Sequence, residues 1–405
     1  MPTKSKATAT LDPVEIRRIV MHAQGLDHPR AEALPDLVAR TGFIRTLGGV
    51  DGYLALLARH PQLQLAEVDR AVASGALRVT PAVRGCMYLV AEPHAPLCLA
   101  IAEQLSAARD QRDADKAGIK KGELETLGAK VVETLAKHGP LTTDALRKRL
   151  PEGSVRSLGE QGKKIGVSSS LPPALRKLEF AGKIERTLEA GRIDTERYQW
   201  RARKAKPSKP IAKPHAAIAE LFFAWAGVAT LKEFAAWSGF AVKDAKAAVD
   251  AIALREVQLE DGPGFADPDA LRAAGDDDAV ALLTFEDNLT ALGRGPARWM
   301  AAKHHEMKVP QWGTSKSLTI ADSKHMQLRT VLAGGSIVGF WEYDPDKGTA
   351  VTAMLDKVGK PIATRIAREA DRVGTFLREQ IGHGRSFSLD TDDALRERVA
   401  FIRKL

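Results

Sequence analysis

Many lysine and arginine side chains lie between residues 156 and 213, and their type and spacing suit the binding of phosphate groups. Such cations neutralise the phosphates of a nucleic acid without reading its base sequence. Acidic residues are concentrated elsewhere, in the stretch 256–278, as expected where one face meets a polyanion. A solvated basic linker followed by an acidic loop is the alternative interpretation. The candidate phosphate-binding residues are Lys163, Lys164, Arg176, Lys177, Lys183, Arg186, Arg192, Arg197, Arg201 and Arg203.

Other kinds of chemistry find little support among the residues. The run His304-His305-Glu306 lacks a helical i, i+4 partner and a third ligand, so we predict no metal site. The sequence has neither a Walker loop nor a dinucleotide-binding glycine motif, so we predict no cofactor. Cys86 and Cys98 are too few for a disulfide scaffold and are expected to be small buried apolar side chains. Histidines without a serine or cysteine partner at a recognisable spacing are His22, His28 and His94.

Composition places the chain among ordinary globular proteins. Its 405 residues include 60 Lys+Arg and 51 Asp+Glu, which gives a formal charge of +9, and 44% of the residues are hydrophobic. Disorder throughout is therefore excluded, and the length predicts two to four compact units. The sequence contains no apolar run of about 18 residues, and its first ten residues carry no apolar core. We therefore expect a soluble, cytoplasmic protein that is associated with the nucleoid when bound to DNA.

Helical and strand patterns predict an α+β fold that is mainly α. The second unit is the clearest, because three helical patterns and a two-stranded hairpin follow one another, the order of a winged helix-turn-helix. The third unit has a weakly charged third helix and is expected to be structural, with Trp225, Phe234 and Trp237 packed inward. The predicted divisions are a disordered tail (1–11), winged-helix-like units (12–112, 123–203 and 214–262), a basic linker (204–213), an antiparallel β-barrel-like domain (279–357) and basic C-terminal helices (358–405).

Four local motifs, taken in order, resemble those of a known family. They are Leu47-Gly48-Gly49 beside a helix, Arg84-Gly85 leading a hairpin, the stretch 283–293 (LTFEDNLTALG) and the stretch 331–342 (VLAGGSIVGFWE). The chain resembles the winged-helix DNA glycosylases of the AlkZ and YcaQ type, which unhook alkylated or crosslinked bases. The resemblance extends from about Pro13 to the final helix. It implies tandem winged-helix units and a C-terminal β-barrel arranged as a C-shaped clamp.

The same resemblance identifies candidate catalytic positions and a departure from the family pattern. Family members follow the Leu-Gly-Gly-type segment with Gln-apolar-Gln or Gln-apolar-Asp, whose side chains hold the attacking water, and this chain has Asp51-Gly52-Tyr53. Asp51 could activate water as a carboxylate, or it could cap the helix that follows. The family hairpin often reads Arg-Gly-Thr-apolar-His, whereas Arg84 is followed here by a segment that ends in Tyr88. Arg84 and Tyr88 are therefore candidate DNA contacts, with hairpin packing as the alternative for Tyr88.

Three functional hypotheses follow. The leading one is a monomeric protein that clamps double-stranded DNA on the glycosylase scaffold, in DNA repair or protection, with the chemistry lost or altered. An active glycosylase that uses Asp51 and Tyr53 is the second. A winged-helix protein-interaction scaffold or transcription regulator is the third, and the basic linker argues against it.

Overall fold

The computed structural model describes residues 9–195, 197–203, 211–272, 278–292, 295–311, 314–324 and 326–405. Most of the predicted basic linker, including Lys204, Lys206 and Lys209, lies outside these described residues, as do Asp276 and Asp277 of the acidic stretch. None of the helices in the described part combines the length and apolar character needed to cross a bilayer.

The N-terminal part is helical around a small sheet. The Asp12 side chain accepts hydrogen bonds from the backbone N–H groups of Val14 and Glu15. The Glu15 side chain in turn accepts one from the Asp12 backbone N–H, so a capping box starts the first long helix. Strand β4 pairs antiparallel with both β2 and β3. The elements are β1 (Ala9–Thr10), α1 (Pro13–Ala23), α2 (Leu34–Thr41), β2 (Ile44–Arg45), α3 (Asp51–Leu57), α4 (Leu65–Ser74), β3 (Leu77–Pro81), β4 (Met87–Ala91) and α5 (Ala95–Lys116).

The second part has its own core of buried leucines, which Trp200 and Ile184 of the hairpin close. The predicted three helices and hairpin are present, and a further short helix, α8, lies between the second and third of these helices. Thr142 caps α7 by accepting a hydrogen bond from the backbone of Ala145. The elements are α6 (Glu123–His138), α7 (Thr143–Arg149), α8 (Gly159–Lys164), α9 (Leu171–Phe180), β5 (Ile184–Leu188) and β6 (Tyr198–Ala202).

The third part packs against the first. Trp225, Phe234 and Trp237 are all buried, as predicted, and the edge of the Trp225 ring meets Phe43 with centroids 4.6 Å apart. The elements are α10 (Pro214–Ala226), β7 (Val228–Ala229), α11 (Leu231–Ser238), α12 (Val242–Asp250), β8 (Arg255–Leu259) and β9 (Gly262–Ala266).

The prediction of a disordered tail over residues 1–11 is wrong at its end. β1 pairs in parallel with β8, so residues 9 and 10 form the edge strand of the sheet β1-β8-β9-β7. The backbone groups of Ala9 and Thr10 thereby find partners some 250 residues away in sequence, a pairing that a polar local pattern does not reveal. Residues 1–8 lie outside the described part of the chain.

The last part is a sheet covered by helices. The elements are β10 (Val280–Leu283), α13 (Asn288–Ala291), β11 (Lys308–Pro310), β12 (Ser317–Thr319), β13 (Arg329–Ala333), β14 (Ser336–Asp344), β15 (Thr349–Met354), α14 (Lys360–Phe376) and α15 (Asp392–Ile402), with a π-helical turn at Leu377–Ile381. Among the described residues, 3₁₀ turns lie at Val83–Gly85, Glu92–His94, Glu189–Gly191, Ala270–Arg272, Ala297–Trp299 and Ala302–His304.

The prediction of a barrel is wrong for the described residues. The antiparallel order β10-β13-β14-β15 is open, and β11 pairs only with β12. Helix α14 packs across β10 and β15, and its buried residues Ile366, Val373 and Phe376 join the sheet's core. A helical layer therefore covers the apolar face that barrel closure would otherwise bury. The same core includes Tyr53 and Leu54, so α3 is held between the N-terminal sheet and α14.

Candidate nucleic-acid interface

The segment Leu47-Gly48-Gly49 runs directly against the chain between α14 and α15. The Val50 backbone N–H donates to the carbonyl of Arg385 at 2.8 Å, and the Ser388 N–H donates to the carbonyl of Leu47 at 3.1 Å. A Cβ atom on Gly49 would lie 2.2 Å from the backbone nitrogen of Phe387. This approach requires glycine at position 49, and it fixes the loop 382–390 beside the start of α3.

Asp51 is the first residue of α3, and its side chain points into the protein. The carboxylate is 6% exposed, and Oδ1 accepts a hydrogen bond from Nη2 of Arg329 at 3.1 Å. Its other oxygen has no hydrogen-bond partner among the described residues. The interpretation of Asp51 as a helix cap is wrong, because Val50 occupies the N-cap position and the Asp51 carboxylate is turned towards Arg329.

Arg329 joins Asp51 to a larger set of buried charges. Its guanidinium is fully buried and also donates to Glu342 at 2.7 Å, to the carbonyl of Gly384 at 2.8 Å and to Oγ of Ser386 at 2.6 Å. Arg398 then links Glu342 (2.5 Å) to Asp390 (2.8 Å). We call Asp51, Arg329, Glu342, Asp390 and Arg398 the buried ion network. With all members ionised it carries three negative and two positive charges.

Burial raises the pKa of Asp51 to about 6, with Glu342 adding to the shift and Arg329 opposing it. The folded protein therefore binds a proton at Asp51 more tightly than the unfolded chain does. Ionising this group costs stability as the pH rises from about 4 to about 7, by the order of 3 kcal/mol. At neutral pH the carboxylate is stabilised less than it would be in water.

This shift predicts a pH-dependent difference between the wild type and Asp51→Asn, which cannot titrate. The free energy of unfolding of the wild type minus that of the variant should fall between pH 4 and 7 and stay level above pH 7. Urea denaturation at a series of pH values measures both, and the titration of other groups cancels in the difference. A difference that rises with pH would show that the ion pair with Arg329 outweighs the cost of burial, and it would contradict the raised pKa of Asp51.

Tyr53 holds the hairpin of the second part in place. Its hydroxyl donates to Oδ1 of Asp69 at 2.7 Å and accepts from the Ile193 backbone N–H at 3.0 Å. The ring is fully buried, and the guanidinium of Arg192 lies 6.0 Å from its centroid. Burial raises the pKa of Tyr53, so the hydroxyl stays neutral. The side chain therefore positions the turn before β6, and this geometry does not support the predicted catalytic role.

The hairpin β3–β4 presents one of its two candidate residues to solvent. Arg84 lies at the exposed tip in a left-handed conformation (φ 56°) and donates from Nη2 to the Tyr88 hydroxyl at 3.4 Å. Tyr88 itself is 3% exposed and packs against Phe43. Its ring face is not open to a base, so the packing interpretation holds for Tyr88, while Arg84 can reach a phosphate.

Two cavities flank Leu47-Gly48. The tip cavity, about 460 Å³, is lined by Arg45, Thr46, Leu47, Gly85, Cys86, Met87 and Tyr198. The loop cavity, about 380 Å³, is lined by Gly48, Asp194, Thr195, Arg197, His383, Arg385, Phe387 and Ser388. Both volumes lie in the range of small-molecule sites, roughly 300–1,000 Å³.

The loop cavity is polar and cationic on balance. Arg197 and Arg385 are exposed at its rim and form no ion pair within the described part of the chain. His383 lies 3.1 Å from Oδ2 of Asp194, which Arg192 also binds. Although burial opposes it, these two partners hold the pKa of Asp194 well below its usual range. Asp194 is therefore a fixed anion whose charge is already balanced, and the arginines remain free for a polyanion.

The other predicted phosphate-binding residues fall into two groups. Lys163, Lys164, Arg176, Lys177 and Lys183 are exposed on α8, α9 and the start of the hairpin, as a phosphate contact requires. Three of them form surface ion pairs: Lys163 with Glu160, Arg176 with Asp110 and Lys177 with Glu125. The second group is partly buried and forms ion pairs within the protein: Arg186 with Glu179, Arg192 with Asp194, and both Arg201 and Arg203 with Glu185.

The arginines of this second group are already bound by carboxylates of the protein. Their geometry therefore supports a structural role, in which they stabilise the β5–β6 hairpin. Sequence reasoning missed His383 and Arg385, which share the loop cavity with Arg197. The available signal was the run Gly382-His383-Gly384-Arg385, in which two basic residues alternate with glycines between two helices.

Comparison with known proteins supplies the last observations. The family model described as DNA glycosylase AlkZ-like matches residues 26–376. Among solved structures, the DNA glycosylase AlkZ of Streptomyces sahachiroi is similar, with a TM-score of 0.69 and 18% sequence identity over 90% of this chain and 97% of that one. At that identity the likeness establishes a shared fold. The curated proteins include no match.

Proposed function

The chain belongs to the AlkZ-like DNA glycosylase family, and on this premise we propose that it binds duplex DNA as a monomeric clamp without using Asp51 for base excision. The fold is that of a DNA glycosylase, which supports a DNA-binding, repair-related role. We infer further that the parts 12–112, 123–203 and 214–262 act as winged-helix units, and that a C-shaped arrangement lets them surround the duplex.

The observation that carries this proposal is the set of exposed cations around Leu47-Gly48. Arg84 lies at the hairpin tip beside the tip cavity, while Arg197 and Arg385 face the loop cavity. They come from three separate parts of the chain, which are the turn between β3 and β4, the loop before β6 and the loop between α14 and α15. Backbone phosphates are the ligands that such a group of guanidinium ions recognises, through charge-assisted hydrogen bonds.

The triple variant Arg84→Ala, Arg197→Ala, Arg385→Ala tests the phosphate contacts. Each contact that is lost should make the slope of log K against log salt less steep by about 0.9, so the full variant should lose up to about 2.7. Affinity should fall alike for all duplex sequences, because phosphates carry no base information. Fluorescence anisotropy over a series of salt concentrations measures both quantities.

A second triple variant, Lys357→Ala, Lys360→Ala, Arg368→Ala, removes the same charge from exposed positions on and before α14. It should leave the slope nearly unchanged. Equal slopes in the two variants would show that net charge alone drives binding and would remove the assignment of the interface. Wild-type protein that fails to bind any duplex would favour the protein-interaction hypothesis.

Excision by Asp51 is the second candidate function, and one observation favours it. The unpartnered Oδ2 and a pKa of about 6 are what a general base near neutral pH would show. Against it, Asp51 lines neither cavity, and its carboxylate is bound by the buried Arg329.

A further inference from the structure

Two imidazoles and a carboxylate converge where α1 ends, on residues that the proposed DNA interface does not use. Nδ1 of His22 lies 3.0 Å, and Nδ1 of His28 3.2 Å, from the same oxygen of Asp27. All three potential ligand atoms lie within 4.8 Å of one another. We propose that His22, Asp27 and His28 form a binding site for a late first-row divalent metal ion such as zinc.

The local sequence folds the three side chains together. Gly25 takes the left-handed conformation (φ 63°) that terminates the helix, and its N–H donates to the carbonyl of His22 at 2.9 Å. The Leu26 N–H donates to the carbonyl of Met21, and the Leu26 side chain is buried. This reversal brings the residues after Gly25 back beside the last turn of α1, where His22 lies.

The loop is held rigid from the side opposite to solvent. Gln24 is buried and donates from Nε2 to the carbonyl of Trp225 at 2.7 Å. Arg59 donates to both the backbone and the side-chain oxygen of Gln24, and it forms a two-pronged ion pair with Asp287 at 2.8 Å for each bond. A site built on such a loop loses little conformational freedom when a metal binds.

The electrostatics of Asp27 call for a cation. Its carboxylate is 1% exposed, and its partners among the described residues are the two imidazoles and the His28 backbone N–H, which donates to Oδ1 at 2.8 Å. No arginine or lysine of the described chain pairs with it. A buried carboxylate without a full positive charge nearby is costly, and a divalent ion held by the three groups would provide that charge.

The donor set and its spacing fit zinc in particular. Zinc bonds of about 2.0–2.1 Å in tetrahedral geometry place neighbouring donors about 3.3 Å apart, close to the two observed separations. Two imidazoles and one carboxylate suit zinc and its first-row neighbours better than magnesium or calcium. The side chains of His22 and His28 are 36% and 58% exposed, which leaves room for entry of the ion and for a water as fourth ligand.

The pattern was not visible in the sequence. Four residues separate His22 from Asp27-His28 across a helix end, a spacing that differs from the common zinc-binding patterns. The sequence prediction of no metal rested on His304-His305-Glu306. In the structure His304 bonds to Asp356 at 2.7 Å. Among the described residues this pair is not part of a group of three potential metal ligands.

Zinc titration of untagged, chelator-treated full-length protein tests the site. Isothermal calorimetry should give one equivalent of bound zinc and differential scanning fluorimetry a rise in Tm, and cobalt should give the visible absorption of a four-coordinate ion. His22→Ala and His28→Ala should each weaken zinc binding by more than about tenfold, the lower bound for loss of an outer-shell partner. The matched control is His304→Ala, which removes another imidazole that is bonded to an aspartate, and it should bind as the wild type does.

Equal zinc affinity in the wild type, His22→Ala and His28→Ala would overturn the site, as would an equal loss in His304→Ala. His28 is exposed, so its replacement keeps the test valid even if His22→Ala lowers the yield of folded protein. The duplex affinity of His28→Ala, measured with chelator present, should equal that of the wild type, so failure of the metal site and failure of DNA binding are separate results.

Discussion

Arg329→Leu is expected to lower the free energy of unfolding by about 3–5 kcal/mol, the cost of breaking a buried ion pair by removing one partner. Arg329 is the only guanidinium that contacts Asp51 in the described part of the chain, and it shares Glu342 with Arg398. Its removal leaves Asp51 buried without a counter-charge, and it frees the carbonyl of Gly384 and the hydroxyl of Ser386. Urea denaturation at pH 7.5, where Asp51 is ionised, measures the loss.

Arg396→Leu is the matched control, because Arg396 pairs with Asp346 and Asp393 at the exposed surface. Exposed pairs contribute about 0–1 kcal/mol, so this variant should unfold nearly as the wild type does. If Arg329→Leu does not fold, Arg329→Lys can be measured instead. It keeps the positive charge but lacks the several N–H donors of the guanidinium, so it should lower the free energy of unfolding by a smaller amount. Equal stability of Arg329→Leu and Arg396→Leu would contradict the buried ion network.

The network also has a consequence for the DNA interface. Arg329 binds Gly384 and Ser386, and Asp390 accepts from the Ser386 N–H at 2.9 Å. The loop that carries Arg385 is therefore anchored to the sheet on both sides of that residue. Asp51, two positions after Gly49, thus helps to secure the loop of Arg385 through Arg329.

Local elements were predictable where the sequence contains its own stop and start signals. Such signals are the Asp12-Pro13 pair and the threonines 142 and 230, which stand where helices begin, and Gly334-Gly335, which stands where β13 turns into β14. Each depends on residues within about five positions of one another, so one stretch of sequence is enough to identify it. The family resemblance, carried by four such local motifs, is confirmed by the family model.

Long-range pairings could not be predicted in this way. Asp51 contacts Arg329 across 278 residues, and β1 joins β8 across the whole of the first two units. The barrel prediction failed for the same reason, because hairpin patterns give the neighbours of each strand but do not show that α14 covers the sheet. In the candidate site, charge alone singles out Arg84 and Arg197, which are exposed, whereas the partners of Arg186, Arg201 and Arg203 became visible only in the folded chain.

We expect no base excision above background when the protein is incubated with a duplex that carries N7-alkylated purine. The polar side chains that hold water in the family are replaced here by Asp51, which is bonded to Arg329, and Tyr53, which is bonded to Asp69 and Ile193. Loss of a positioned general base alone lowers the rate by about 10²–10⁴-fold. Here the second polar side chain that binds the attacking water in the family pattern is replaced as well. Duplex binding through Arg84, Arg197 and Arg385 should persist.

A single-turnover incubation, followed by alkaline cleavage and gel analysis, measures abasic sites, and heating the same duplex verifies that the assay detects them. Background-level cleavage together with intact binding would establish a DNA-binding clamp without chemistry. Cleavage that vanishes with Asp51→Asn would overturn this and make Asp51 the base, since the variant preserves shape and removes only the proton acceptor. Cleavage that survives Asp51→Asn but vanishes with His383→Ala would also overturn it, and would move the chemistry to the loop cavity, where His383 and Asp194 already form the hydrogen-bonded pair that a general base needs.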